Sequence, residues 1–249
     1  RDPERETWDG PRAGTEGAVA RHGMDDAFPI SDLDDILPGL IEGRSRVYYH
    51  LGRDAEFDLK LIGWVNRVRA QIKQGAEPPH EFLALGHLLH DLRLFKSRDE
   101  IATMRRSAAI AAEAHVRAMR AARPGMFEYE IEAELLHAFR RRGAVPSYEP
   151  IVGAGANACV LHYRANNAAL KSGDLILIDA GAELDGYASD ITRTFPVDGV
   201  FSPAQRALYA LVLDAQAAAI AAVRPGASWI APHEAAVRAL TEGLLRLGL

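Results

Sequence analysis

The chain is short of the features that mark several classes of protein. It has one cysteine, Cys159, in 249 residues, so it cannot form an internal disulfide, and this favours a reducing compartment such as the cytoplasm. Its longest unbroken apolar runs, such as Ala207–Leu213, have seven residues, far short of the roughly 20 that span a bilayer. There is no excess of positive charge, because 29 Lys and Arg stand against 34 Asp and Glu, a net charge of −5. We therefore expect neither a nucleic-acid nor a membrane partner.

The signatures of several enzyme classes are also missing. The sequence has no Gly-x-Ser-x-Gly elbow and no P-loop, which argues against an α/β-hydrolase and a P-loop nucleotide hydrolase. His233-Glu234 begins like a zinc-protease motif, but Val237 stands where a second histidine is required. Gly153-Ala-Gly155 begins like a dinucleotide-binding loop, but Ala158 replaces the third glycine.

What is present is the composition of a folded chain with mixed helices and strands. Hydrophobic residues make up 48% and charged residues 25%, which excludes extensive disorder. Residues 1–22 are polar and glycine-rich, and they are predicted to form loop or edge structure. Helices are predicted over 31–42 and 55–74, with a strand over 46–51 between them. A domain boundary is expected between 75 and 96, where glycine and proline interrupt the helical pattern.

One order of elements occurs twice along the chain. Ser97-Arg-Asp-Glu100 has the pattern of a capping box and opens a predicted helix, which Arg-Pro-Gly at 123–125 ends before a second predicted helix over 129–142. Ser202-Pro-Ala-Gln205 begins the same order, and its Arg-Pro-Gly at 224–226 lies 101 residues after the first. Strands follow the first copy, whereas the chain ends after the second. The repetition predicts two similar halves, the second lacking its strands.

The segment from 175 to 196 predicts a β-hairpin. Asp185-Gly186 is a strong signal for a type I′ turn between two strand-like runs. With that turn, residue 184 pairs with 187, and 181 pairs with 190. Asp179 and Asp190 then lie on one face of the sheet as diagonal neighbours, with Cβ atoms roughly 7–8 Å apart or less.

Two carboxylates this close favour a metal site. They repel each other unless a cation or a shared proton lies between them. A carboxylate pair on adjacent strands can hold one or two divalent metals. The alternative is that both are solvated acids beside a turn. Asp179 argues against it, because it ends a Leu-Ile-Leu-Ile run that is expected to be buried and an unpaired buried carboxylate is costly.

His162 is the histidine closest to this hairpin, 17 residues before Asp179. A single histidine is more often structural than catalytic, so the sequence pattern alone leaves its role open. His87 and His90 lie three residues apart without a nearby carboxylate or cysteine cluster, which favours a solvated helix face. Cys159 is predicted to be a small buried residue without a reactive role.

Several strings resemble the aminopeptidase P branch of the M24 metallopeptidases. They are Tyr148–Asn157, Leu161–Tyr163, Leu177–Gly181 and Asp190–Pro196. The resemblance implies an α+β pita-bread catalytic domain of two pseudo-symmetric halves. It places an incomplete domain of this kind over residues 93–249, without the second-half strands. Residues 1–92 would be the C-terminal part of the family's α/β N-terminal domain.

The resemblance also implies a set of site residues. In the family, two divalent metal ions, usually manganese, are held by two Asp, one His and two Glu. Asp190 matches the bridging ligand and Asp179 a ligand of one ion. The remaining His and both Glu belong to the second-half strands, which we expect this chain to lack. His162 matches a catalytic histidine near the substrate's N-terminal residue, and Tyr148 matches an aromatic residue that lines the proline pocket.

The implied function is removal of an N-terminal residue that precedes proline, by metal-activated water. The implied partners are a peptide with proline at its second position and, at full length, further copies of the chain in a homo-oligomer. Because two aspartates cannot fill the coordination of two metals, the 249-residue chain alone is predicted to be inactive.

Two other functions remain open. A prolidase-type dipeptidase would cleave only dipeptides. A non-catalytic pita-bread binding protein would gain support if the complete protein lacked the second-half ligands. The presence of Asp179, Asp190 and His162 argues against the second of these alternatives.

Overall fold

A computed structural model describes residues 2–249. The chain divides into two compact units, one ending at Lys96 and the other spanning Ser97–Leu249. Within residues 2–249, no helix combines the length and the apolarity needed to cross a bilayer.

The first unit is mainly helical and has a small core of its own. That core contains Ile41, Leu61, Trp64, Val65, Val68 and Ala76. Within residues 2–96, its two strands pair in parallel, with Arg46 opposite Glu81. The elements are α1 (Pro3–Asp9), α2 (Gly14–His22), a 3₁₀ turn (Ile30–Asp32), α3 (Leu33–Ile41), β1 (Arg46–Tyr48), α4 (Ala55–Arg69), a 3₁₀ turn (Ile72–Gln74), β2 (Glu81–Leu83) and α5 (Leu85–Leu94).

The prediction of loop or edge structure over 1–22 is wrong, because α1 and α2 occupy most of it. The Asp2 side chain accepts hydrogen bonds from the amides of Glu4 and Arg5, and Pro3 takes the first helical position. An acidic cap followed by proline is a favourable helix start. Glycines inside α2 hid its helical pattern, because glycine lowers helix propensity.

The second unit contains two helix pairs and six strands. The elements are α6 (Arg98–Ala121), α7 (Glu128–Arg141), β3 (Val145–Pro146), β4 (Ile151–Ala154), a 3₁₀ turn (Gly155–Cys159), β5 (Leu175–Ala180), β6 (Ala182–Leu184), β7 (Tyr187–Ala188), β8 (Ile191–Pro196), α8 (Pro203–Ala222) and α9 (Ala231–Leu247).

Both predicted capping boxes are confirmed at the helix starts of this unit. The Ser97 amide donates to Glu100 Oε2 at 2.5 Å, and the Glu100 amide donates to Ser97 Oγ at 3.2 Å. Ser202 and Gln205 make the same two bonds, at 2.9 and 3.3 Å. Each box satisfies two donors of a helix start, which explains why the two helices begin where the sequence predicts.

The sheets of the second unit rest on α6 and α7. The strand orders are β4-β5-β8 and β3-β6-β7, and every pair is antiparallel. In β5, Ile176, Ile178 and Ala180 are buried in the core that also contains residues of α6 and α7. Leu175, Leu177 and Asp179 alternate with them and are only partly buried. The Leu-Ile-Leu-Ile run is therefore buried on one face only, and Asp179 lies on the more open face.

Candidate active site

The hairpin over 175–196 forms with the predicted turn and register. Asp185 has φ 52° and Gly186 has φ 83°, as a type I′ turn requires. Leu184 pairs with Tyr187 between β6 and β7, and Asp179 pairs with Thr192 between β5 and β8. Because the register is unchanged from the turn to β5, Asp190 lies diagonal to Asp179 on the same face, as predicted.

Gly181 separates the two parts of the hairpin and allows the strands to approach closely. A Cβ atom at this position would lie 1.7 Å from the Ser189 carbonyl oxygen, so only glycine fits. The Gly181 carbonyl accepts from the Ser147 amide at 3.0 Å, and the Ala182 carbonyl accepts from the Ser189 amide at 2.8 Å. This close approach sets the spacing of the strands that carry the two aspartates.

Tyr148 joins the two aspartates through a single phenol oxygen. Its hydroxyl group hydrogen-bonds to Asp179 Oδ1 and lies 2.9 Å from Asp190 Oδ1. Burial raises the pKa of Tyr148 above its ordinary value, and the hydrogen bonds to both carboxylates raise it further, so the phenol stays protonated. The structure therefore brings together three of the four candidate site residues.

Within the described part of the chain, His162 is not joined to this group by hydrogen bonds. It is exposed, in the turn that follows the 3₁₀ turn Gly155–Cys159, and no hydrogen bond within residues 2–249 joins it to the two aspartates or to Tyr148. Cys159 is also exposed, so the prediction that it is buried is wrong.

Two side chains of α6 support the aspartate strands from the buried side. Ser107 Oγ donates to the Ala182 carbonyl at 2.6 Å, and His115 Nε2 donates to the Ala180 carbonyl at 3.1 Å. His115 is 2% exposed, and its burial lowers its pKa. The sequence pattern did not single out either residue. A polar side chain within the apolar stripe of α6 was the signal that could have found them.

Glu128 is a second polar residue that the sequence reasoning missed. It is the first residue of α7 and is completely buried. Its carboxylate accepts hydrogen bonds from the segment that carries His162. An acidic residue in the first turn of a helix is ordinarily explained by the helix dipole, which obscured this role.

The aspartate pair fits part of a divalent metal site. Two carboxylates that face one donor offer the hard oxygen ligands that Mg²⁺, Mn²⁺ and Zn²⁺ accept. Within the part of the chain that the structure describes, no group of three or more His, Cys, Asp or Glu is placed to hold a metal ion. Asp179 and Asp190 would therefore hold a metal only as part of a larger ligand set.

Comparison with known proteins gives a consistent result along the whole chain. Residues 102–248 match Metallopeptidase family M24, and residues 1–48 match the aminopeptidase P N-terminal domain. The chain is 42% identical to the Xaa-Pro aminopeptidase of Escherichia coli over 250 residues, which covers 100% of the chain and 57% of that relative. It is 34% identical to the human Xaa-Pro aminopeptidase 3 over 229 residues, covering 92% of the chain and 44% of the relative.

Solved structures show the same fold. Pseudomonas aeruginosa aminopeptidase PepP is 61% identical, with a TM-score of 0.92, over 100% of this chain and 56% of its own. Escherichia coli aminopeptidase P, solved as a variant in complex with substrate, is 42% identical with a TM-score of 0.91, covering 99% of this chain and 56% of its own. The expected α+β pita-bread fold is therefore confirmed. The chain spans about half the length of the curated relatives it matches.

Proposed function

Because the chain belongs to metallopeptidase family M24, we propose that it contributes the aspartate ligands to an Xaa-Pro aminopeptidase, which removes an N-terminal residue that precedes proline. The observation that carries this proposal is the convergence of Asp179 and Asp190 on the hydroxyl group of Tyr148. The likeness to Xaa-Pro aminopeptidases, one of them solved in complex with substrate, supports the reaction class.

The proposed domains are an N-terminal domain over 1–92, of which this is the C-terminal part, and an incomplete catalytic domain over 93–249. Two observations support this division. The first compact unit of the structure ends at Lys96 and the second begins at Ser97. The M24 match begins at 102, just after the start of α6.

We propose that Asp179 and Asp190 would hold two divalent metal ions, with manganese as the metal. Divalent ions at such a site activate water and polarise a carbonyl group. The chain's own residues supply the negative charge and its orientation. Tyr148 keeps its proton and donates it to the Oδ1 atom of one aspartate at a time, which orients the carboxylates toward the same side of the sheet.

His162 and Tyr148 are assigned to the substrate. His162, exposed beside its turn, would donate a hydrogen bond near the N-terminal residue of the peptide and stabilise charge that develops on the scissile carbonyl. The ring of Tyr148 would line an apolar pocket for proline. We further propose that the full-length protein forms a homo-oligomer and works in the cytoplasm, which the single cysteine in these 249 residues favours.

The function is tested by peptide hydrolysis with Mn²⁺, using an Xaa-Pro-Xaa tripeptide and an Xaa-Pro dipeptide. We expect a protein completed to the length of its relatives to release the first residue of the tripeptide. We expect the 249-residue chain alone to be inactive, because two aspartates leave most metal coordination positions unfilled. Cleavage of the dipeptide only would indicate a prolidase, and rapid turnover by the chain alone would contradict the predicted ligand set.

A matched pair of variants tests the ligands directly. Asp190→Asn in the completed protein should bind fewer metal ions per chain and lose activity. Asp185→Asn makes the same chemical change in the exposed turn, where the carboxylate pairs with Arg106 at 3.1 Å. It should retain the metal ions and the activity. Metal binding without hydrolysis by the unmodified protein would favour the non-catalytic alternative.

A further inference from the structure

Glu128 is a buried carboxylate that the proposed reaction leaves without a role. It is 0% exposed. Its Oε1 accepts from the Ala154 amide at 2.8 Å and from Asn157 Nδ2 at 3.1 Å. Its Oε2 accepts from the Tyr163 hydroxyl group at 2.9 Å and from the Ala168 amide at 2.9 Å. Both oxygens are therefore fully used, and none of the four donors carries a charge.

This arrangement needs a side chain with two oxygens that both accept hydrogen bonds. Each carboxylate oxygen can accept two hydrogen bonds, and the four donors occupy all of these positions. A glutamine would replace one oxygen by an amide that itself donates. Two of the four donors would then face another donor, and buried donors without acceptors are costly.

The four donors lie on both sides of His162 in the sequence. Ala154 and Asn157 precede it, Tyr163 follows it directly, and Ala168 comes five residues later. Asn157 Nδ2 also donates to the Tyr163 hydroxyl group at 3.0 Å. This bond directly links the residues before and after His162. The main chain adds a further link, since the Glu128 amide donates to the Ala168 carbonyl at 3.0 Å.

His162 has no comparable anchor of its own. Its side chain is exposed, and within residues 2–249 it makes no hydrogen bond that would fix its ring. Its position therefore depends on the segment that bears it. That segment is tied to α7 at two carboxylates, Glu128 at the first residue of the helix and Glu132, whose Oε2 accepts from Asn166 Nδ2 at 3.0 Å.

We propose that Glu128 is a positioning residue that places His162 for the substrate, acting through Asn157 and Tyr163. The inference rests on the proposed function, in which His162 faces the N-terminal residue of the peptide. Glu128 itself touches neither substrate nor metal.

The first test uses Glu128→Gln in the 249-residue chain and needs no activity. We expect the amide of Ala154 or of Ala168, whichever then faces the glutamine Nε2, to exchange with solvent about tenfold faster or more, because it loses its hydrogen-bond acceptor. We also expect the ¹³C signal of the His162 ring, assigned with His162→Gln, to shift or broaden. Glu134→Gln is the matched control on the same helix, because its carboxylate pairs with Arg117 and not with the His162 segment.

Tyr163→Phe covers the case in which Glu128→Gln fails to fold. It removes one donor and keeps the carboxylate, so it should move the His162 signal in the same direction by a smaller amount. Unchanged exchange at Ala154 and Ala168, or an unchanged His162 signal in every folded variant that alters Glu128 or Tyr163, would overturn the proposal.

The second test separates positioning from general stability. In a protein completed to the length of its relatives, Glu128→Gln should reduce kcat about 10- to 100-fold, as misplacement of a catalytic group does. In a His162→Ala background it should cause no further loss, because the two residues act through one path. If Glu128→Gln reduced kcat by the same factor with and without His162→Ala, the role of Glu128 would be merely structural. That result would contradict the proposal. If the unmodified protein hydrolyses no peptide, the proposed function fails, while the exchange and ¹³C measurements still decide the role of Glu128.

Discussion

At the scale of single residues, the site depends on one phenol oxygen that faces two carboxylates. Both contacts of Tyr148 use the Oδ1 atoms of Asp179 and Asp190. A phenol has one proton, so it can donate to only one of the two carboxylates at a time. The repulsion that remains between the carboxylates favours a cation beside them. Tyr148 therefore orients the pair, and the pair needs positive charge from elsewhere.

The orienting role of Tyr148 predicts the effect of Tyr148→Phe on metal binding. Removing a hydrogen-bond donor that orients metal ligands should weaken Mn²⁺ binding to the completed protein about 10- to 100-fold. Titration calorimetry measures the change. Tyr129→Phe is the control, because Tyr129 is half exposed and stacks on Phe127. Equal Mn²⁺ affinity in the two variants would contradict the orienting role of Tyr148.

His115 predicts a dependence of stability on pH. Burial, opposed by its hydrogen bond to the Ala180 carbonyl, holds the pKa of His115 below its ordinary value of 6.5. Well above pH 6.5 the His115 imidazole is neutral in both the folded and the unfolded state, so it contributes no pH dependence there. As the pH falls below about 6.5, the unfolded state takes up a proton that the folded state resists, and the free energy of unfolding falls.

Urea unfolding between pH 7.5 and pH 5 measures this effect. His115→Gln should flatten the decline, because glutamine can still donate to the Ala180 carbonyl but does not titrate. The slope removed cannot exceed about 1.4 kcal/mol per pH unit, the limit for one proton. His137→Gln removes an exposed histidine of α7 and should leave the decline unchanged. The same slope in the unmodified chain and in His115→Gln would show that His115 is not its source.

The sequence predicted the positions of some of these residues but not the contacts of others. Asp179 and Asp190 were placed correctly because a two-residue turn determines which residues of a hairpin face each other. The contacts of Tyr148, His115 and Glu128 could not be predicted in this way. Their partners lie 26 to 65 residues away in the sequence. Many of these partners are main-chain groups, which the type of residue does not reveal.

At the scale of elements, the capping boxes of the second unit were predicted correctly, whereas α1, α2 and the pairing of β3 were not. Ser97 and Ser202 mark helix starts that depend only on the next three residues. The division of the hairpin into β5 and β6 at Gly181 depends on β3, which pairs Val145 with Glu183. No sequence pattern within the hairpin predicts the pairing with β3.

Gly181 gives the prediction that belongs to this scale. Gly181→Ala would force a Cβ atom against the Ser189 carbonyl oxygen and push the strands apart, at a cost of about 3 kcal/mol. Gly199→Ala is the control, since open space surrounds it and only its φ of 76° opposes a side chain. That strain should cost about 1 kcal/mol. Urea unfolding followed by far-UV circular dichroism compares them, and equal costs would contradict the close approach at Gly181.

At the scale of the whole molecule, each compact unit has a hydrophobic core of its own. The three tryptophans differ in how strongly unfolding of these units changes their surroundings. Trp64 is 2% exposed in the core of the first unit and donates to Asp34 at 2.8 Å. Trp8 and Trp229 are 84% and 98% exposed, so unfolding changes their surroundings little. Tryptophan emission should therefore follow the first unit, whereas circular dichroism follows both.

Because each unit has its own core, we expect the two units to respond separately to mutation. The difference between tryptophan emission and circular dichroism makes this measurable. Gly181→Ala lies in the second unit and should lower the urea midpoint of part of the circular dichroism change without moving the emission midpoint. Val65→Ala removes two methyl groups from the first core, where Val65 is 2% exposed. It should destabilise that unit by about 2 kcal/mol and lower the emission midpoint. A common shift of both signals in both variants would show that the units unfold as one, since a shared transition moves whenever either core is weakened.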